Sequence, residues 1–394
     1  MNRTVRLIAA VLATLAGTAT AAGPAQAADR DRYVALGDSF TAAPFVPMQY
    51  GTPIGCGRSD HNYPSVVRAA IGATVFRDES CSSATTEHMT EPQSVFGGNH
   101  IPQFDALSRD ATLVTVGIGG NDVGLVGAAT ECLQLGLLAP TGTACRANFA
   151  KPGGGDRLVD QIAATAPKIA ATLQGIRERS PQARVLIVGY PAVAPTNGKG
   201  CYPLVPLSDD DMAYLDEMLR RTNTMIAEQA AANGVEFVDT YTESIGHDVC
   251  TLPPTRWFEG VVPTMPAFPV HPNAMGEASM ARSVLRVLAA PRPEPAPVLG
   301  SLERAARSVR VGRAARFTYT ATRATRVTFA LRRSLGRGRY GAARAMGTVA
   351  AAAGKNTLKL TAKRLGRRAG LYRLIGRPPE GGAQVVQFRI RRAG

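Results

Sequence analysis

Tyr33-Val34-Ala35-Leu36-Gly37-Asp38-Ser39-Phe40-Thr41 is the stretch on which the reading of this chain turns. Its first residues form a short apolar run without alternation, which suits a parallel strand covered on both faces. The run ends on glycine and gives way to Asp38-Ser39, followed by a helix-compatible Thr41-Ala42-Ala43. A serine there stands at a strand-to-helix turn, on the edge of an open α/β sheet where ligands collect. Two uses fit such a serine. It caps the helix, or it presents its hydroxyl to a substrate.

Working outward, the pattern repeats. Leu113 to Ile118, Arg184 to Tyr190 and Val235 to Asp239 read as further buried strands. Leu158 to Arg179, Asp209 to Ala232 and Met275 to Leu288 carry helical spacing, and Ser208 with Asp209-Asp210-Asp211 gives the second of them an acidic first turn. Strand–helix alternation predicts a three-layer α/β/α domain with a parallel sheet over residues 28–290. The prolines at 291, 293, 295 and 297 cannot continue a helix, so residues 291–298 read as an extended linker. Beyond it the apolar period drops to two, as in Phe317 to Ala321, Val327 to Leu331, Leu358 to Leu360 and Gln384 to Ile390. Residues 299–394 are therefore expected to form a small all-β sandwich.

Charge divides at the same place. Within 394 residues of net charge +15, residues 1–300 balance at −6, whereas residues 301–394 hold 23 basic and 2 acidic side chains. A single uniformly basic nucleic-acid-binding body is excluded, and the basic part lacks a stacking-platform pattern. Anionic wall polymers or lipid headgroups are the expected partners of that last quarter. At the other end, Arg3 and Arg6, the apolar run Leu7 to Ala16 and Ala25-Gln26-Ala27 read as an export signal over residues 1–27. A secreted, monomeric protein is expected. The six cysteines, all within the first 250 residues, then imply disulfides in an oxidising compartment, with about fifteen pairings open. No C-x-x-C occurs, and nothing calls for a metal or other cofactor.

Two further segments reach the active edge. Gly117-Ile118-Gly119-Gly120-Asn121-Asp122 follows the second strand. Its glycines suit close approach to a substrate, and Asn121 offers an amide donor for a developing oxyanion, or caps a turn. His271-Pro272-Asn273 opens the last helix, and among the five histidines His271 alone returns to the sheet edge.

The three blocks together resemble the SGNH/GDSL hydrolases, particularly the secreted esterases and lipases of actinobacteria. The likeness spans roughly residues 31–290 and includes Gly55 to Ser59 and Ser80 to Thr86 around two cysteines. It implies a flavodoxin-like SGNH domain with Ser39 as nucleophile and His271 as general base. The oxyanion hole falls on Asn121 and the backbone N–H groups of Ser39 and Ser83, with Gly119 as a close-approach glycine. It also implies the pairing Cys56–Cys81, Cys132–Cys145 and Cys201–Cys250, each pair bounding a loop near the site. Two positions depart from the family's pattern. Ser83 replaces a usual glycine and serves equally if its backbone is ordinary. Phe268 stands where an aspartate usually orients the histidine, so the Phe268 carbonyl is expected to accept the imidazole N–H. The C-terminal part resembles immunoglobulin-like modules, including Ala369 to Leu374. Hydrolysis of lipid or short-chain acyl esters is the activity implied. Polysaccharide deacetylation, or a binding protein with an inactive hydrolase domain, are the alternatives. Trp257 to Phe268 reads as an acyl-pocket wall or as core.

Overall fold

A computed structural model describes residues 31–292 and 299–392, apart from 307, 337, 367, 380 and 381. The expected export signal and most of the linker lie outside the described residues. The chain forms two compact units, the first ending at Arg292 and the second beginning at Pro293.

In the first unit, five strands make one parallel sheet: β1 (Arg32–Gly37), β2 (Val75–Asp78), β3 (Leu113–Gly117), β4 (Arg184–Val188) and β5 (Glu236–Val238). Their order is β2-β1-β3-β4-β5. This is the flavodoxin-like winding, with its switch point between β1 and β3. The three central strands β1, β3 and β4 are buried on both faces, and alternate residues serve different layers. Val34, Leu36, Val116 and Ile187 pack with the helices Arg157–Arg179 and Asp209–Ala232, whereas Tyr33, Ala35, Leu186 and Val188 pack with Tyr63–Ile71 and Ala274–Ala289. Caps fix where those helices start: the Asp156 carboxylate accepts from the Leu158 and Val159 N–H groups, Ser208 from Asp211, and Asn273 from Met275 and Gly276. Edge strand β2 escapes the sequence reading because it has four residues and its Val75 and Arg77 side chains face solvent. Three disulfides close loops of the first unit: Cys56–Cys81, Cys132–Cys145 and Cys201–Cys250. Among the described residues no helix is long and apolar enough to cross a membrane.

The second unit is a β-sandwich. Its smaller sheet holds β6 (Glu303–Arg304), β8 (Ala315–Ala321) and β11 (Gly354–Leu360). The larger runs β7 (Ser308–Arg310), β13 (Gln384–Arg391), β12 (Gly370–Arg377), β9 (Thr325–Gly336) and β10 (Arg344–Ala351), antiparallel except for the β7–β13 pair. Inward residues from both sheets fill one core, where Phe317 meets Phe388 at 5.0 Å and Tyr319 meets Phe329 at 5.5 Å between ring centroids.

Candidate active site

The first turn of the site is shaped by backbone crowding. A Cβ on Gly37 would lie 2.2 Å from Thr41 Oγ1 and 2.6 Å from the Gly117 carbonyl, so only glycine lets β1 meet the following turn here. Gln103 braces the same residue from both sides, accepting from the Gly37 N–H at 2.8 Å and donating to its carbonyl at 2.9 Å. Asp38, not Ser39, caps the short helix α1 (Ser39–Ala42): its carboxylate accepts from the Phe40 N–H at 3.0 Å. The Ser39 hydroxyl is thereby left for another partner. It lies 2.8 Å from His271 Nε2.

His271 is held by its own loop. Nδ1 donates to the Pro269 carbonyl at 2.8 Å, which leaves Nε2 to accept a hydrogen bond from the Ser39 hydroxyl. The expectation for Phe268 is corrected here. Its carbonyl accepts the backbone N–H of His271 at 3.1 Å, and with Val270 in the left-handed region (φ 62°) the tight turn brings the next carbonyl, that of Pro269, under the ring. The Phe268 side chain instead stands edge-on to the imidazole, 5.2 Å between centroids. No carboxylate touches His271 among the described residues. Burial pushes the imidazole down to about 4, opposed by the Pro269 carbonyl, so it is neutral near pH 7. Beneath the loop, buried Glu259 accepts from Thr264 and Met265 N–H groups and from Asn273 Nδ2, while its own N–H donates to the His271 carbonyl.

Asn121 lines the same cavity as Ser39 and His271. Asn121 lies in α2 (Gly120–Val123), directly after β3; its Nδ2 gives one hydrogen to the Ala84 carbonyl at 2.9 Å and retains another. Asp122 ties the same turn to the 81–86 segment by accepting from the Thr86 N–H at 2.9 Å and from its hydroxyl at 2.6 Å. The N–H groups of Ser39 and Ser83 donate to no acceptor among the described residues. Ser83 does not have ordinary backbone: its φ is 65°. A non-glycine residue there costs roughly 1–2 kcal/mol, which accounts for glycine's suitability at this position. Gly119 also differs from expectation. Its φ of 115° turns the chain, and a Cβ on it would meet Ile169 Cδ1 at 2.9 Å, in the helix layer rather than at the site. The neighbouring Gly120 faces the cavity instead.

One group the sequence reading passed over is Tyr190, two residues beyond β4. Its hydroxyl donates to the Asp38 carboxylate at 2.5 Å and accepts from the Gly120 N–H at 2.7 Å, linking the Ser39 turn to the Asn121 turn. Burial pushes Asp38 up to about 7, against the pull of the Tyr190 and Phe40 donors. Its place at the carboxyl end of a buried strand was the available signal.

A cavity of about 230 Å³ opens beside Ser39, Asn121 and His271. Leu125, Ala129 and Leu133 of α3 (Leu125–Leu138) line it, opposite Leu215 and Leu219 of the helix Asp209–Ala232. Val261 and Phe268 also border it, but Trp257 does not; that ring stacks on His247 at 3.5 Å. Asp216 also lines the cavity, and its carboxylate is occupied by the Tyr241 hydroxyl and Arg220.

A serine hydroxyl on a histidine, an asparagine amide on the same cavity wall and an apolar cavity define an ester hydrolase of the kind that attacks acyl carbonyls. Comparison with known proteins agrees: residues 35–278 match the model of the GDSL-like Lipase/Acylhydrolase family, and the chain belongs to that family. It is a carboxylic ester hydrolase. Lipase 2 of Streptomyces coelicolor is 37% identical over 292 residues, 73% of this chain and 96% of that one. An esterase of Streptomyces scabiei is 31% identical over 281 residues, covering 62% and 81%. The solved extracellular lipase of Streptomyces rimosus shares 26% identity at a TM-score of 0.54, over 65% of this chain and 99% of its own. The phospholipase A1 structure from Streptomyces albidoflavus has the same TM-score at 24% identity, over 66% and 99%, which shows a shared fold.

Proposed function

We propose that this protein is an exported, monomeric lipase or esterase that cleaves carboxylic esters with apolar acyl groups, through an acyl-enzyme on Ser39. The 2.8 Å contact between Ser39 Oγ and His271 Nε2 carries this reading. His271 Nε2 takes the hydroxyl proton as Oγ attacks the ester carbonyl. Negative charge then develops on the carbonyl oxygen within reach of the Ser39 and Ser83 N–H groups and Asn121 Nδ2. As the tetrahedral adduct collapses, the C–O bond to the alcohol breaks and the imidazolium returns its proton to the leaving alkoxide. Water, deprotonated by the same nitrogen, attacks the acyl carbonyl, and the acid leaves as Ser39 recovers its proton. The Pro269 carbonyl supports the imidazolium with a dipole where a full charge is more usual.

The largely aliphatic cavity favours a chain of several methylenes over an acetyl group on a sugar. Each methylene buried there is worth about 0.8 kcal/mol. Export is supported by the leader-like sequence at residues 1–27, by three disulfides and by the extracellular description of the Streptomyces rimosus relative. The test is a series of p-nitrophenyl esters from acetate to laurate, assayed with wild type and Asn121→Ala. The reading expects kcat/KM to climb with chain length and Asn121→Ala to lose about 10²–10³-fold in kcat. A preference for acetate that persists across leaving groups would replace it with the deacetylase alternative.

A further inference from the structure

The outer face of the larger sheet in the second unit has no part in that chemistry. On β12, Tyr372, Leu374 and Gly376 are buried, so Leu371, Arg373, Ile375 and Arg377 point outward. On β13, Phe388 and Ile390 point inward, leaving Val385, Gln387, Arg389 and Arg391 outside. Strand register sets these residues side by side: Leu371 against Arg389, Arg373 against Gln387, and Ile375 against Val385. On one flank Arg332 of β9 lies opposite Arg373, and on the other Arg310 of β7 lies opposite Arg391. Neighbouring strands are about 4.8 Å apart, so Arg332 with Arg373 and Arg310 with Arg391 form adjacent cationic pairs on a face where arginines and apolar side chains intermingle.

Nothing on the described residues neutralises that face. Arg310, Arg373, Arg377, Arg389 and Arg391 form no ion pair with a carboxylate among them, and the unit's described acid, Glu303, belongs to the smaller sheet. Arg373 lies over the Tyr340 ring at 4.0 Å, which holds it extended on the surface. Like charges side by side on a sheet repel one another, and an anionic surface laid across them removes that cost. Leu371, Ile375 and Val385 stand between the arginines, with Val385 49% exposed. Charge alone would serve a phosphate-rich polymer. Apolar side chains among the charges suit a partner that has apolar depth beneath its anionic groups.

We propose that this face docks the protein on an anionic lipid surface, and so keeps an esterase of lipid acyl groups at the phase that holds its substrate. The inference rests on the acyl-ester reading above for its purpose, not for its binding. The test is flotation of the full chain with vesicles of phosphatidylglycerol mixed with phosphatidylcholine, and with phosphatidylcholine alone. Wild type should float with the anionic vesicles, not with the neutral ones, and should be released as salt shortens the Debye length. Arg373→Gln/Arg377→Gln/Arg389→Gln should weaken that binding roughly a hundredfold. Arg389→Glu, a single change at an exposed position, should act in the same direction if the triple variant loses its fold. Lys355→Gln/Lys359→Gln, on the outer face of the smaller sheet, removes charge elsewhere and should leave binding intact. Equal flotation of the arginine variants and wild type overturns the proposal. So does sedimentation of wild type with purified anionic wall polymer but not with vesicles. Hydrolysis of soluble p-nitrophenyl butyrate by the same samples keeps the two readings apart: vesicle binding without hydrolysis supports the docking face and refutes the esterase.

Discussion

His271, the proposed general base, is buried with a peptide carbonyl behind it, and this has consequences for pH. Its ordinary value of 6.5 falls to about 4 because burial disfavours the imidazolium. The base is competent only when neutral, so kcat/KM should fall as pH drops through about 4, with no loss near 6.5; a pH–rate profile checks this. Tyr190 offers a second measurement. Tyr190→Phe removes the donor to Asp38 and leaves the Gly120 N–H without its acceptor. A buried polar group left without its partner costs roughly 1–3 kcal/mol, so kcat should fall about 10–100-fold with KM little changed. A fall in thermal stability alone would make Tyr190 structural. Ser39, Asn121 and His271 were legible in the sequence because each follows a strand or opens a helix at one sheet edge. The Pro269 carbonyl, the Gly119 orientation and the Ser83 backbone were not, since they depend on left-handed turns that residue types such as Val270 and Ser83 disfavour.

Among the elements, the helix Leu125–Leu138 supplies one wall of the cavity beside Ser39. Ala129→Phe fills the cavity that several acyl methylenes would otherwise occupy. At about 0.8 kcal/mol per methylene, the ratio of kcat/KM for decanoate over acetate esters should fall by roughly a hundredfold. An unchanged ratio would place the acyl chain elsewhere. Cys132 joins that helix to the short helix Ala144–Phe149 through Cys145. Replacing both cysteines by alanine should cost roughly 2–4 kcal/mol in urea unfolding of the first unit. The sheet itself was readable from β1, β3 and β4, whose residues are buried on both faces. β2 was not, because a short edge strand has one solvated face and no apolar run. In the second unit, the alternation of Phe317 to Ala321 and Val327 to Leu331 was plain. The two- and three-residue strands β6 and β7 lack enough length to show a period.

The whole molecule combines an ester hydrolase with a cationic sandwich, and each unit has its own core. A chain ended at Arg292 should therefore hydrolyse soluble esters at the wild-type rate while losing its hold on anionic vesicles; loss of soluble-ester activity would mean the second unit supports the site. The proposed hydrolysis depends on covalent chemistry at Ser39, and one measurement addresses it directly: the kcat of Ser39→Ala on a p-nitrophenyl ester, with its near-ultraviolet circular dichroism compared with wild type. Removing the nucleophile from a unit that acts with His271 should lower kcat by a thousandfold or more, on the order of what such pairs show elsewhere, with the fold unchanged. A folded Ser39→Ala that keeps more than about a tenth of wild-type kcat would contradict the acyl-enzyme.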